Sequence, residues 1–425
     1  MIDSTGNQGQ TVKLVSKSDI IAEHKSKSTA NEPFTSESHF VYFKREPPCS
    51  KPLSSLRRAF LKDLKLGWDS GYHDAVVVLR TIAPPRRFGD ALQTVTEDEQ
   101  GNCIYLRFYG PIAGVHVDHF LPEGSVVAVK APWCKSNRVH GTAIVVKYLT
   151  DFVCLAQGGI LYPAKWNLIV PPSAPSASEW FKEEGNCAYK SQKYQTAVVR
   201  YTEALNFKPN ETLEITIYSN RAQAHLASGA FEAAIADTTF VLSREPQHEK
   251  SLYCCAMGHY YMQNYVAAIE LLNSLIQAYP SNEIAKKDLQ RATQRRREQT
   301  TGAYDFAEML KVSRGPSPQM DVADYIGPVE QRAGGIFATR DISVGELLMC
   351  TKAFEFVYSN NSDKGVFFNN HVSGASTLRL SKKIAQKLAS NPSFIPSFKK
   401  LHPFPSTIAG NISDELVDGR PVIDE

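Results

Sequence analysis

The 425-residue sequence has little of several features that would mark a specialised class of protein. Its eight cysteines are scattered without a C-x-x-C pair, which excludes zinc-knuckle spacing and is typical of a reducing, intracellular compartment. The formal net charge is only +3, too small to indicate a nucleic-acid or membrane partner. Long apolar runs and a basic, apolar leader are also missing. We therefore expect a cytoplasmic or nuclear protein with no structural zinc and no membrane partner.

The first part of the chain is polar and then turns amphipathic. Residues 1–50 are rich in Ser, Thr, Lys, Asn and Gln, a composition that favours mostly disordered structure. Ser54–Leu66 then places Leu56, Phe60 and Leu64 at helical spacing among basic residues. We predict a short leading helix there.

Between residues 74 and 169 the apolar period changes to two, which predicts β-strands. Five runs qualify, and a Glu-Gln-Gly-Asn turn at 99–102 joins two of them as a hairpin. The runs are Ala75–Ile82, Ala91–Val95, Cys103–Tyr109, Ser125–Lys130 and Ala143–Leu155. Antiparallel strands of this number and length predict a small β-barrel, of the OB-like type.

Two side-chain groups in this region invite a binding function. Tyr105, Phe108 and Tyr109 could stack nucleic-acid bases, as OB-like barrels do, but no basic run follows them and aromatics at strand spacing usually pack in a core. His116, Asp118 and His119 can ligate metals, yet no nearby partner completes a site. We therefore expect neither a nucleic-acid partner nor a metal site here.

The clearest pattern in the sequence is a repeat of 34 residues. Ser178–Glu211, Ile215–His248 and Glu249–Asn282 align with each other, and each has a small residue at its eighth and twentieth positions, where two helices can approach closely. An aromatic stands at each seventeenth position, and proline ends the second helix at each thirty-second. These prolines are Pro209, Pro246 and Pro280. The pattern predicts three helix–turn–helix units, followed by a capping helix that reaches about residue 300.

The three segments resemble the tetratricopeptide repeat, whose first helices line a concave groove. Residues four apart share a helical face, so Lys182 and Asn186 should face the groove with Asn220, Lys250 and Cys254. Four of these five match by residue type the carboxylate clamp of chaperone-binding tetratricopeptide domains. That resemblance implies binding of C-terminal tails ending in Glu-Glu-Val-Asp.

The fifth clamp position departs from the family. It is usually arginine, and Cys254 stands there instead. Because a thiol does not replace a charged donor, we expect a deficit of about 1.5–3 kcal/mol in peptide binding. Restoring arginine at Cys254 should then strengthen binding.

The C-terminal part carries a second resemblance. Tyr325–Gln331, Gly335–Arg340 and Glu346–Tyr358 read as three β runs, and a helix follows over Ser376–Ser390. The string from Ala333 through Gly334, Gly335, Ile336 and Phe337 to Leu347 resembles the opening of SET-domain protein methyltransferases. The resemblance implies that these five residues approach S-adenosylmethionine. Together with the repeats, the layout is similar to fungal-type tetratricopeptide–SET proteins, distant relatives of the SET–MYND group.

Two departures from the SET pattern bear on activity. Ala333 replaces a glycine of the family's turn, and its Cβ restricts both close backbone approach and positive φ. The later Asn-His-Ser-Cys and tyrosine elements do not occur before Glu425. We therefore expect a binding adaptor with no catalytic residues and no cofactor of its own. The alternative is an S-adenosylmethionine-dependent protein-lysine methyltransferase whose catalytic half is not in this chain.

These observations predict a multi-domain α+β protein in which an all-α tetratricopeptide solenoid separates two β-rich parts. We expect residues 1–50 to be mostly disordered, 51–170 to form the barrel with its leading helix, and 171–177 to be a linker. The repeats and capping helix should span 178–300, a connector 301–323, and the incomplete SET domain 324–425.

Overall fold

The computed structural model describes most of the chain, in twelve stretches. These are residues 9–29, 48–66, 72–88, 91–109, 121–137, 141–315, 320–332, 335–357, 365–368, 371–399, 412–418 and 420–423. The chain divides into two compact units. Unit 1 comprises Met1–Gly229 and Ser359–Glu425, and unit 2 comprises Ala230–Tyr358. The predicted repeat array is thus divided at Gly229, and the predicted 324–425 domain is divided at Ser359.

Unit 1 contains a sheet of nine described strands. They are β1 (Arg57–Ala59), β2 (Ala75–Thr81), β3 (Arg86–Phe88), β4 (Ala91–Glu97), β5 (Cys103–Tyr109), β6 (Val126–Lys130), β7 (Trp133–Asn137), β8 (Gly141–Val146) and β9 (Phe152–Cys154). The main order is β7-β8-β5-β4-β2-β6-β9, with β1 beside β2 and β3 beside β4. β2 and β6 are rich in valine and buried along almost their whole length, which suits strands covered on both faces.

The strand predictions hold better than the barrel prediction. β4 and β5 form the antiparallel hairpin across residues 99–102, with Glu97 opposite Cys103. The run predicted over Ala143–Leu155 is interrupted by a 3-10 turn at Leu149–Asp151. The expectation of antiparallel strands alone is wrong, because β1–β2 and β5–β8 are parallel pairs. In the described strands no pairing joins β7 to β9, so closure into an OB-like barrel stays a prediction.

The N-terminal segment differs from its predicted disorder. Helix α1 spans Lys17–Thr29, and the chain before it bridges to the sheet at Val15, opposite Cys103. Val12 is 6% exposed and Ile20 is 2% exposed. Residues 9–29 therefore have defined structure and bury apolar side chains, although the average composition of the stretch is polar.

The leading helix predicted over Ser54–Leu66 is wrong. Two 3-10 turns flank β1, which pairs in parallel with β2 through Arg57 and Ala75. Leu61 and Leu64 are fully buried in the core beneath the sheet. Pairing with β2 satisfies the backbone hydrogen bonds of β1, and the adjacent turn buries Leu61 and Leu64 in the core. These tertiary contacts override the local helical pattern.

Unit 1 also contains five described helices besides α1, and two hairpins. The helices are α2 (Ala177–Lys190), α3 (Tyr194–Asn206), α4 (Glu211–Ala227), α10 (Ala375–Ser390) and α11 (Ile395–Lys399). The hairpins are β14 (Gly365–Phe368) with β15 (His371–Gly374), and β16 (Ile412–Val417) with β17 (Arg420–Ile423). At the second hairpin, Asp418 lies 3.3 Å from the Nζ of Lys130 on β6, whose side chain is 1% exposed. The C-terminal segment therefore contacts the N-terminal sheet.

Unit 2 is helical with a small β part. Its helices are α5 (Phe231–Leu242), α6 (Glu249–Tyr261), α7 (Tyr265–Ala278), α8 (Glu283–Thr301) and α9 (Phe306–Ser313). Its strands are β10 (Tyr325–Ile326), β11 (Val329–Arg332), β12 (Gly335–Ala338) and β13 (Met349–Cys350). β11 and β12 form a hairpin, whereas the predicted third run over Glu346–Tyr358 is reduced to β13, which pairs with β10.

Candidate functional site

The helix starts and the helix packing follow the repeat pattern. Ser176 caps α2: its Oγ accepts a hydrogen bond from the backbone N–H of Glu179 at 3.1 Å. Gly185 lets α3 approach α2, since a Cβ there would lie 2.5 Å from the ring of Tyr201. Gly258 on α6 does the same against Ile235 on α5, at 2.8 Å. These two glycines permit the close approach of α2 to α3 and of α5 to α6.

In unit 1 the structure brings two of the predicted groove residues into direct contact. The Nδ2 of Asn220, on α4, donates to the Oδ1 of Asn186, on α2, at 3.0 Å. The hydroxyl of Tyr201 donates to the same oxygen at 2.8 Å. Burial raises the pKa of the Tyr201 hydroxyl, so it remains protonated and donates at any physiological pH. Two donors therefore orient the Asn186 amide.

Because its oxygen is taken, Asn186 directs its Nδ2 toward a carboxylate. That nitrogen donates to the Oε2 of Glu183 at 3.0 Å, and the Nζ of Lys182 lies 3.0 Å from the Oε1 of Glu183. The hydrogen bonds from Asn186 and Lys182 hold the pKa of Glu183 below its usual range. The Glu183 side chain is 62% exposed. An amide and an ammonium group thus hold one carboxylate at the surface.

Sequence reasoning missed both Tyr201 and Glu183. Tyr201 lies within the first repeat at a position without a predicted role, and only its hydroxyl contact with Asn186 reveals one. Glu183 lies next to Lys182 in the sequence, but neighbouring residues on a helix do not normally share a face. No local signal distinguishes it.

In unit 2, Lys250 and Cys254 lie one turn apart on α6. Burial lowers the pKa of the partly buried Lys250 ammonium group. Cys254 is 1% exposed, and burial raises the pKa of its thiol to about 12. Cys254 is therefore buried in the described structure, and its predicted position in the groove stays a prediction. That all five residues line one groove stays a prediction.

The predicted cofactor residues lie on the β11–β12 hairpin. Gly335 pairs with Arg332, and Ile336 and Phe337 are exposed by 57% and 44%. Ala333 and Gly334 lie outside the described residues. The described part of the hairpin presents apolar side chains to solvent, and binding of S-adenosylmethionine there stays a prediction.

The candidate base-stacking and metal-binding residues lie in the N-terminal part of the chain. Tyr105 and Phe108 are each 3% exposed, so they pack in the core and are not available to stack bases. His116, Asp118 and His119 lie outside the described residues. Among the residues that are described, no group of His, Cys, Asp and Glu is arranged to hold a metal ion. None of the described helices combines the length and apolarity that crossing a membrane requires.

Comparison with known proteins adds three similarities, although no protein-family model matches the chain. A methyltransferase of Gibberella zeae is 26% identical over 392 residues, which cover 89% of this chain and 53% of that protein. Tetratricopeptide repeat protein 4 of Bos taurus is 36% identical over 90 residues, covering 21% of this chain and 23% of that protein. Hsp70-Hsp90 organizing protein 3 of Arabidopsis thaliana is 29% identical over 109 residues, covering 26% and 19%.

The chain therefore spans about half the length of the fungal relative and under a quarter of the other two. It combines a helical, tetratricopeptide-like segment with β-rich regions, in a mixed α+β structure. It is similar to a fungal methyltransferase and, over about a quarter of its length, to a tetratricopeptide repeat protein and to an Hsp70-Hsp90 organizing protein.

Proposed function

We propose that the protein is an adaptor whose repeats bind the acidic C-terminal tails of heat-shock chaperones. The observation that carries the proposal is the carboxylate of Glu183, held jointly by Lys182 and Asn186. A peptide carboxylate can accept hydrogen bonds from the same two donors. Hydrogen bonds in which one partner is ionised are about twice as strong as those between neutral groups. Glu183 stands in for the ligand.

The surrounding contacts support the same function. Asn220 and Tyr201 both occupy the oxygen of Asn186, which leaves its NH₂ group as the outward-facing donor. Lys182 is 20% exposed, so its ammonium group is partly desolvated yet open to a ligand. The similarity to Hsp70-Hsp90 organizing protein 3 favours Hsp70 and Hsp90 tails as ligands. Lys250 is proposed as a further contributor.

Isothermal titration calorimetry tests the adaptor function. We expect a peptide ending in Glu-Glu-Val-Asp to bind, and the same peptide with an amidated C-terminus to bind more weakly. Lys182→Ala should lower the affinity about tenfold or more, because a charged hydrogen bond is lost. Lys190→Ala is the matched control, since Lys190 is an exposed lysine at the other end of α2. Absence of heat, or equal binding by Lys182→Ala, would refute the proposal.

A second function rests on the similarity to the fungal methyltransferase, which runs along 89% of this chain. We propose that the whole protein is a SET-type protein-lysine methyltransferase, in which Ala333, Gly334, Gly335, Ile336 and Phe337 approach S-adenosylmethionine. Calorimetry of the chain with S-adenosylmethionine tests it. Saturable binding of S-adenosylmethionine that is lost in Gly335→Val would support the enzyme function. If S-adenosylmethionine does not bind, these residues do not have the proposed role.

A further inference from the structure

Unit 2 contains a second carboxylate contact, away from Lys250, at the opposite end of α6. The hydroxyl of Tyr260 donates to the Oδ2 of Asp321 at 2.5 Å. The Nε of Arg291 and the Nη1 of Arg295, both on α8, lie 3.3 Å and 3.7 Å from the same oxygen. Burial raises the pKa of the Tyr260 hydroxyl, so it stays protonated. One hydroxyl donor and two guanidinium groups, from two helices, therefore surround one carboxylate oxygen.

The donors are positioned independently of Asp321. The Nη1 of Arg291 is 3.1 Å from Asp288, and the Nη2 of Arg295 is 2.6 Å from Glu298, each within one turn of α8. The Nε of Arg291 lies at ion-pair distance from Asp321, whereas the Nε of Arg295 is buried and has no hydrogen-bond acceptor among the described residues. The guanidinium groups are thus fixed by their own helix, and Arg295 retains a buried donor with unused capacity.

The backbone next to Asp321 is held like a bound peptide. The N–H of Ala323 donates to the Oε2 of Glu298 at 3.0 Å, and its carbonyl oxygen accepts from the hydroxyl of Tyr304 at 2.6 Å. The Ala323 side chain is fully buried. One carboxylate, both backbone polar groups and one small apolar side chain are therefore recognised within three residues. Both sides of the contact belong to unit 2.

We propose that Tyr260, Arg291, Arg295 and Glu298 form a binding site for an extended acidic peptide, in which an aspartate precedes a small apolar residue by two positions. Asp321–Ala323 of the chain itself occupy this site as an intramolecular ligand. The Asp321 side chain is 45% exposed, so a segment of the same chemistry from another protein can replace it stepwise. The site is separate from the residues of the proposed chaperone-tail function and stands without it.

The test uses the full chain and a labelled peptide with the sequence of residues 319–325, Gln-Met-Asp-Val-Ala-Asp-Tyr. Asp321→Arg places a cation against Arg291 and Arg295 and should release the internal segment. Fluorescence anisotropy should then show that this variant binds the peptide at least tenfold more tightly than the wild type, in which the site is occupied. Peptide carrying asparagine at the Asp321 position should bind about tenfold more weakly, because a charged hydrogen bond is lost.

Tyr260→Phe, introduced into the Asp321→Arg chain, should also cost about tenfold in peptide affinity. Tyr261→Phe is its matched control, since Tyr261 is the adjacent residue on α6 and is 46% exposed. In the wild type, hydrogen exchange should show a protected amide at Ala323 that exchanges faster in Tyr260→Phe. If Asp321→Arg lowers the helical circular dichroism, Asp321→Ala replaces it with the same expectation.

Two results would overturn the site. The first is a released variant that keeps its helical signal but does not bind the peptide. The second is an Ala323 amide that exchanges in the wild type at the rate of an unfolded chain. Neither depends on binding of a Glu-Glu-Val-Asp tail, so failure of the adaptor function and failure of this site are distinguishable.

Discussion

Asp151 should make the stability of the N-terminal sheet region fall as the pH rises. Its side chain is buried, and its Oδ1 accepts a hydrogen bond from the N–H of Cys49 at 2.7 Å. Burial raises the pKa of this carboxyl from 3.8 to about 7, against the opposing effects of the Cys49 hydrogen bond and of Lys130 and Lys147. The folded protein therefore binds a proton that the unfolded chain releases.

The sign and size follow from linkage. A group whose pKa is higher in the folded state stabilises the fold below its unfolded pKa and loses that contribution as the pH rises through the folded value. A difference of about three pH units corresponds to about 4 kcal/mol. We expect the free energy of unfolding to fall by up to about this amount between pH 4 and pH 7. Asp151→Asn removes the titration and keeps an oxygen for Cys49.

Urea unfolding followed by tryptophan fluorescence at pH 5 and pH 8 measures the effect. Asp151→Asn should be more stable than the wild type at pH 8, with a much smaller difference at pH 5. Asp63→Asn is the matched control, because it makes the same charge change at an exposed carboxyl. A stability difference between Asp151→Asn and wild type that is the same at both pH values would refute the reasoning.

Three further changes test the repeat segment. Glu183→Gln removes the negative charge that pairs with Lys182, so the affinity for a peptide ending in Glu-Glu-Val-Asp should rise by up to about fivefold. That factor corresponds to the free energy of an exposed ion pair. The control Glu184→Gln should leave the affinity unchanged. Gly185→Ala pushes a Cβ into Tyr201 and should lower the free energy of unfolding by about 1–3 kcal/mol. The control Cys187→Ala, at an exposed position on the same helix, should have little effect. An unchanged urea midpoint for Gly185→Ala would contradict this expectation. Cys254→Arg should cost about 1–3 kcal/mol by overpacking a site that is 1% exposed, and stronger peptide binding at unchanged stability would instead restore the sequence-based expectation.

Local patterns predicted the elements of this protein well. The 34-residue period placed the helix pairs, and the prolines at 209, 246 and 280 each follow a helix end, because proline lacks the N–H that a helix interior needs. The cap of α2 is equally local, since the hydrogen bond between Ser176 and Glu179 closes within three residues. Such features depend on residues that are close together in the chain, so a short stretch of sequence is enough to predict them.

The errors occurred where distant contacts overrule local preference. Ser54–Leu66 has a helical apolar pattern, yet pairing of Arg57 with Ala75 makes part of it a strand. Residues 9–29 are polar on average, yet they contain helix α1 and bury Val12 and Ile20. Each outcome depends on residues far away in the chain, which no window of the sequence contains.

The sequence by itself therefore determined the repeats, most of the strands and the residue types suited to a carboxylate. Only the tertiary structure decided how those residues are used. Tyr201 and Asn220 turn the Asn186 amide so that its NH₂ group faces a carboxylate, and Asp321 enters a site formed by Tyr260 and two arginines. Hydrogen bonds are directional, so a donor becomes a binding group only when its partners fix its orientation, and those partners come from other helices.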